Sequence, residues 1–287
     1  MYAAEFAYHR PKSLAEAQSL LQSDKDAKLL AGGHSLLPAM KLRVSSPKML
    51  VDLSGVAELS GIKAEGNAVR IGATTTHAAI AASPEVAAGC PILAEAASQI
   101  GDLQVRNRGT IGGSLAHADP SADFPTVVVA LGATLLAAGP WSREIPAEGF
   151  FKDLFTTDLQ PAEILTAVRV PTYGKGTGGA YLKHRHPASS YAVVGVAALV
   201  ELKDGKCARA SVVVGGATVN PVRAKAAEAA LVGQLPDDAT IAAAAARVAE
   251  AIKDPLGDLY ASKEFRTHLA TVLAKRAVAQ AAVRARS

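Results

Sequence analysis

Apolar and polar positions along this chain switch between helical and strand-like periods in a way that divides it into three stretches. Ser13-Leu14-Ala15-Glu16 has the form of a capping box, and Leu14, Ala17, Leu20 and Leu21 fall on one helical face behind it. Residues 29–31 read as a short buried strand stopped by Gly32-Gly33, and residues 49–53 as a second strand after Pro47. Beyond Ser54 the texture changes. Val69-Arg70-Ile71 alternates like a strand, Ser83-Pro84-Glu85 opens a helix with proline at its first position, and another helix is predicted over 91–100. A loop rich in Gly, Asn and Arg follows and ends in Gly109-Thr110-Ile111-Gly112-Gly113; residues 134–136 and 164–170 read as strands. Residues 173–179 are glycine-rich and read as a linker. Residues 192–202 and 210–214, joined through Lys203-Asp204-Gly205-Lys206, predict a hairpin. Helices are expected over 224–232, 240–252 and 265–282, the last with Phe265, Leu269, Val272 and Arg276 on a partly buried face. Strands followed by helices predict an α+β domain.

Composition narrows the class. The chain has 287 residues, 49% apolar, 20% charged and only 5% aromatic, so its core is built from small and branched aliphatics. Thirty Lys and Arg against 26 Asp and Glu give a net charge of +4, scattered except at the C-terminal end. There Arg266, Lys275, Arg276, Arg284 and Arg286 follow without an acid, which suits the negative pole of a helix and calls for no nucleic-acid partner. The longest apolar run, 127–138, is shorter than the roughly 18 residues a membrane span needs. The first residues carry Glu5, His9 and Arg10 and lack the apolar core of a secretory signal, so a cytoplasmic protein is expected. Cys90 and Cys207 are the only cysteines, too few for an iron–sulfur cluster or an all-cysteine zinc site, and are expected as buried thiols.

Candidate chemistry centres on two glycine pairs, Ala31-Gly32-Gly33-His34-Ser35 and Thr110-Ile111-Gly112-Gly113-Ser114, each read as a tight turn. Paired glycines let backbone amides converge on a phosphate or pyrophosphate, with the hydroxyls of Ser35, Thr110 and Ser114 as further donors. No P-loop is present, and Gly174, Gly176 and Gly179 match a dinucleotide fingerprint in spacing only, since no helix is expected after them. His117, Asp119 and Asp123 have a spacing that can ligate a metal, although no second cluster completes a shell. His184 and His186 alternate on one strand face, read as a solvated basic edge, and no Gly-x-Ser-x-Gly elbow occurs.

Taken together, the segments 31–43 (Ala31 through Pro38-Ala39-Met40-Lys41-Leu42-Arg43) and 110–120 resemble the flavin-binding signatures of the FAD-binding medium subunit of molybdenum hydroxylases, the xanthine dehydrogenase family, and most of all the aerobic carbon monoxide dehydrogenase type. The resemblance runs along essentially the whole chain, from Phe6-x-Tyr8-x-Arg10-Pro11 to Glu163-Ile164-Leu165 and beyond. It implies an α+β chain: an FAD-binding fold of the p-cresol methylhydroxylase (PCMH) and vanillyl-alcohol oxidase type, with a small N-terminal α/β subdomain (1–53) and a second FAD-binding subdomain (54–172). A C-terminal domain (178–287) of a three-stranded antiparallel sheet plus a helix bundle would follow. The resemblance further implies that Ala31, Gly32, Gly33, His34 and Ser35, with Thr110, Ile111, Gly112, Gly113 and Ser114, wrap the pyrophosphate. It places Asp123 by the adenosine side, Ile100, Leu165 and Lys183 beside the flavin or along its cleft, and Tyr191 near the isoalloxazine. Lys183 would then stabilise anionic reduced flavin. The chain departs from the wider family at Ser114, where many members have Asn, and lacks an acidic residue just before Tyr191.

The implied function is electron transfer without a catalytic side chain. The implied partners are a small subunit with two 2Fe–2S clusters and a large subunit with the molybdenum cofactor, in a dimer of heterotrimers, with peripheral attachment to the inner membrane face as one implied location. FAD would hand electrons to quinone, NAD, a carrier protein or oxygen. Carbon monoxide, an aldehyde or an N-heterocycle would be oxidised in the large subunit. The rival readings are a stand-alone flavin reductase of the same superfamily, a scaffold that has lost flavin, and a metal hydrolase built on His117, Asp119 and Asp123.

Overall fold

In the computed structural model, which describes residues 1–286, the front of the chain forms β1 (Ala7–His9), α1 (Leu14–Ser23), β2 (Ala27–Leu30), α2 (Leu36–Lys41) and β3 (Met49–Asp52). The strands pair in parallel in the order β1–β3–β2. The Ser13 hydroxyl accepts the Glu16 amide at 3.2 Å and so starts α1 where the capping box places it. The Glu16 carboxylate takes the Lys12 amide at 2.8 Å, one residue earlier than a standard box. No element is predicted for α2. Pro38 stands in its first turn, where its missing amide has no intrahelical partner to lose.

The middle stretch contributes β4 (Ile62–Glu65), β5 (Ala68–Gly72), α3 (His77–Ala82), α4 (Pro84–Gly89), α5 (Pro91–Ser98), α6 (Leu103–Arg108), α7 (Ile111–His117) and α8 (Asp123–Ala130). It continues with β6 (Thr134–Ala138), β7 (Ser142–Pro146), a small hairpin of β8 (Phe151–Asp153) and β9 (Thr156–Thr157), and β10 (Ile164–Pro171). An antiparallel sheet ordered β4–β5–β10–β6–β7 backs the helices. Ile71, Leu135 and Val168 from the sheet share one core with Ile80, Leu93, Phe124 and Val127 from the helices. Two local expectations change. The Gly/Asn/Arg-rich loop contains the helix α6, started by Asp102, whose carboxylate accepts the Val105 amide at 2.8 Å. Gly112-Gly113 is not a turn after a strand but the first turn of α7. Thr110 is extended at φ −121° and its hydroxyl accepts the Gly113 amide at 3.1 Å, the geometry of an N-cap.

The last stretch forms β11 (Thr177–Arg185), β12 (Ala192–Lys203), β13 (Lys206–Gly215), β14 (Val222–Arg223), α9 (Lys225–Leu231), α10 (Asp238–Ala246) and α11 (Lys263–Arg286). β11 takes in the end of the expected linker. The three long antiparallel strands are joined by the two-residue β14. β12 is apolar without alternation because both its faces are covered: Ala197 joins the middle core, while Val196, Ala198 and Val200 join that of the C-terminal helices. α11 buries Arg266, Ala270, Leu273, Ala274, Ala277, Val278 and Ala281, so the buried face lies beside the expected one; Phe265 and Arg276 are exposed. Small residues are needed there, since a Cβ on Gly178 would lie 2.2 Å from the Ala281 carbonyl oxygen. Arg266 donates to the carbonyls of Val193 at 2.6 Å and Gly216 at 2.8 Å, tying α11 to the sheet. Cys90 and Cys207 are buried and unpaired, and among the described residues no helix is long and apolar enough to cross a membrane.

Candidate functional site

The two glycine segments meet. Gly32 sits so close to the backbone before α7 that a Cβ there would lie 2.3 Å from the Arg108 carbonyl oxygen and 2.8 Å from Gly109 Cα. On the other side, Gly113 faces Ala31, at 3.8 Å from an added Cβ to the Ala31 methyl. Gly33 has φ +75°, a left-handed conformation that glycine adopts without steric cost. That turn leaves the amides of Gly33, His34 and Ser35 without a hydrogen-bond partner among the described residues. The second segment differs: the Ile111 and Gly112 amides donate to the carbonyls of Thr75 at 3.1 Å and Ala73 at 2.8 Å, and the Gly113 amide to Thr110. The first loop therefore presents open amides, while the second, its first amides already engaged, forms a fixed support that carries the half-buried Ser114. An anion-holding cradle is the chemistry this arrangement offers.

The other expected residues lie around it with unequal exposure. Asp123, at the start of α8, and Lys183, on β11, form an ion pair of 2.8 Å with side chains only 4% and 1% exposed. The Tyr181 hydroxyl donates to the same carboxylate at 2.7 Å. Burial pushes the Asp123 carboxyl up and the Lys183 ammonium down, each opposed by the other's charge. The heads expected toward adenosine and flavin are thus engaged with each other. Tyr191 is 40% exposed, and its phenol lies beside the Ser35 side chain. Desolvation and the nearby Asp119 carboxylate hold that phenol above the usual tyrosine range. Ile100 is half-buried and its carbonyl accepts Arg106 Nη1 at 2.9 Å; Leu165 is buried in the middle core.

Comparison with known proteins shows which cofactor family the chain belongs to. Residues 4–173 match the family described as the FAD binding domain in molybdopterin dehydrogenase, and residues 179–281 match the carbon monoxide dehydrogenase flavoprotein C-terminal domain. The chain belongs to this flavoprotein family. It is 40% identical to the carbon monoxide dehydrogenase medium chain of Afipia carboxidovorans over 289 residues, covering 100% of both chains. It is 37% identical to the glyceraldehyde dehydrogenase medium chain of Sulfolobus acidocaldarius, over 98% of this chain and 100% of the relative. A solved carbon monoxide dehydrogenase chain from Hydrogenophaga pseudoflava superposes with a TM-score of 0.96 at 42% identity, covering 99% of each chain. Membership makes the chain an FAD-binding medium subunit of the molybdenum hydroxylases, an oxidoreductase component. The residues fit that cofactor: a Cβ would fill the approach at Gly32, and the open amides suit a pyrophosphate.

In this FAD-binding family member, the support beneath the cradle escaped the sequence reading. His77 is 5% exposed, stacks edge-on against Phe124 at 5.1 Å, and lies where a Cβ on Gly109 would come 2.6 Å from its Nε2. Burial lowers its pKa to about 4, so the ring is neutral at pH 7. His77, Gly109 and Gly32 form successive layers under the first loop. Thr76 directly before it, an N-cap residue type, was the available signal for the start of α3. No sequence pattern singles out Arg106 or Tyr181, which hold the Ile100 carbonyl and the Asp123 carboxylate. The metal reading has no support: among the described residues no group of three or more His, Cys, Asp or Glu is placed to hold an ion. His117 instead packs against Phe155, at 5.0 Å between rings. His184 and His186 share one side as expected, but face Tyr260, at 6.4 and 4.5 Å, rather than forming a simple solvated edge.

Proposed function

We propose that this chain relays electrons from the iron–sulfur clusters of a small partner, through FAD seated across its two glycine segments, to an external acceptor. The substrate would be oxidised at the molybdenum cofactor of a large partner. The observation that carries this is the close approach of Gly32 to Arg108 and Gly109 beside the unpartnered amides of Gly33, His34 and Ser35. FAD supplies the chemistry when bound, by accepting electrons singly and giving them up as a pair. The chain's residues bind and orient it. The first-loop amides and the Ser35 and Ser114 hydroxyls hold the pyrophosphate, with Ala31, Thr110, Ile111, Gly112 and Gly113 shaping the walls. Tyr191 covers the loop. Ile100 and Leu165 line or back the flavin end. Asp123 and Lys183 act on the site's shape.

The relatives support a shared relay with interchangeable substrates. Their names include carbon monoxide, glyceraldehyde, nicotine and caffeine as substrates of their complexes, while each matches nearly all of this chain. Substrate choice then belongs to the large partner. Full-length matching to medium chains also disfavours the stand-alone reductase. We take 1–53, 54–172 and 178–287 as the folding units, and a dimer of heterotrimers as the assembly.

The test is a complex purified through a tag on this chain and then stripped of FAD. Added substrate should still bleach the cluster absorption, while turnover with the acceptor stops until FAD is restored. Unchanged turnover without FAD, or a tagged chain that brings down neither partner, contradicts the proposal.

A further inference from the structure

Removing both Asp123 and Lys183 from water is costly, and a buried pair of this kind adds little stability over apolar residues of the same size. Its geometry suggests another role. Lys183 Nζ makes a further bond, donating to the Ser190 carbonyl at 2.8 Å. Ser190 has φ +64°, a left-handed conformation that is unfavourable for any residue with a Cβ and persists where its surroundings enforce it. Around it the chain folds back on itself: the Ser190 amide donates to the His186 carbonyl at 2.9 Å, and the His186 amide to the Tyr191 carbonyl at 2.8 Å. The next residue, Tyr191, has its phenol beside Ser35 of the first glycine loop, and the amide of Ala192 donates to the Ser121 carbonyl at 3.1 Å. A continuous path thus leaves the glycine-loop module at Asp123 and returns to it at Ser35, passing through Lys183, Ser190 and Tyr191.

We propose that Lys183 is a positioning residue: anchored on Asp123, its ammonium pins the Ser190 carbonyl and so fixes Tyr191 against the first glycine loop. Lys183 then governs flavin binding through Tyr191 rather than by contact with the ring. Tyr181, by donating to the same carboxylate oxygen as Lys183, sets the direction of the anchor. This rests on the FAD reading only for what the loop covers; the pin belongs to the chain alone.

Two readouts on the full chain test it. The first is amide hydrogen exchange of the segment 186–192 without flavin. In an Asp123→Asn/Lys183→Met variant, which leaves no lone buried charge, exchange there should speed up about tenfold while the central amides of β12 keep their protection. The second is a double-mutant cycle on the FAD Kd. The paired change should raise Kd about tenfold with Tyr191 present and less than twofold in a Tyr191→Ala background. If the paired variant cannot be purified folded, Lys183→Gln is read the same way, with about threefold expected in each readout. Unchanged exchange in 186–192, or an equal rise in Kd in both backgrounds, overturns the proposal. A wild-type chain that binds no FAD refutes the flavin reading, and the exchange measurement still decides the pin.

Discussion

Replacing Gly32 by alanine adds a carbon 2.3 Å from the Arg108 carbonyl oxygen and 2.8 Å from Gly109 Cα. Non-bonded carbons rest at about 3.5–4.0 Å, so the first loop has to withdraw by roughly 1 Å. Neither neighbour is the tip of a flexible side chain, and the backbone beneath them lies on the buried His77 ring. The stability cost is that of modest overpacking, about 1–3 kcal/mol. Binding should suffer more selectively. A 1 Å shift takes the Gly33, His34 and Ser35 amides out of hydrogen-bonding range of the position they share with the second segment. Losing two hydrogen bonds to a charged group, at about 1.5–3 kcal/mol each, removes at least about 3 kcal/mol of affinity, on the order of 100-fold in Kd. The assay is titration of flavin fluorescence against chain, alongside thermal unfolding. Gly66→Ala is the control, because nothing lies within 4 Å of the added carbon and its φ of +60° brings backbone strain that Gly32→Ala does not have. The control should bind FAD within twofold of wild type. A Gly32→Ala chain that binds FAD as tightly as the control refutes the reasoning.

Other sites give separate expectations. His77 titrates at about 4 in the folded chain against about 6.5 unfolded, so its neutral form favours folding. That stability is complete above the unfolded value and is lost as pH falls toward 4; between pH 7 and 5 the loss is about 2 kcal/mol. Denaturant unfolding at both pH values should show this part of the slope vanish in His77→Phe, and an unchanged slope counts against a buried neutral ring. Ser114→Ala removes one half-buried donor to a charged group and should weaken FAD binding about 10- to 150-fold without changing Tm, as measured by equilibrium dialysis. Arg143 holds Glu163 at 2.6 Å and Asp158 at 2.8 Å, and the Glu163 side chain is 5% exposed. Arg143→Met should therefore destabilise the chain by about 2 kcal/mol and leave the FAD Kd unaltered, since none of the network's hydrogen bonds reaches the glycine loops. Gly178→Val should disrupt the packing of α11 on β11, visible as early loss of exchange protection in both elements.

Where local physics sets the conformation, the sequence was informative. Ser13 and Glu16 predicted the start of α1, and Asp204-Gly205 the hairpin of β12 and β13. The paired signatures carried the cofactor, although neither glycine pair was decisive alone. What went unread depends on contacts between distant segments. Gly112-Gly113 has the composition of a turn, and becomes helical because Thr110 bridges to Thr76 and the Ile111 and Gly112 amides find acceptors at Thr75 and Ala73. α6 has no apolar stripe, with Leu103 62% exposed, so hydrophobic periodicity had nothing to report. The buried face of α11 is largely alanine, which marks no face by size or polarity. Asp123 and Lys183 were recognisable as site residues by resemblance, but their pairing joins positions 60 apart across two modules and is visible only in the fold.

Hydrogen exchange of the purified chain, with and without saturating FAD, tests the central claim most directly. The account predicts a single FAD per chain and new protection concentrated in 31–36, 110–115 and 189–192, with little change in α9 and α10. Saturation without protection of the first glycine loop, or a folded chain that takes up no FAD, contradicts it.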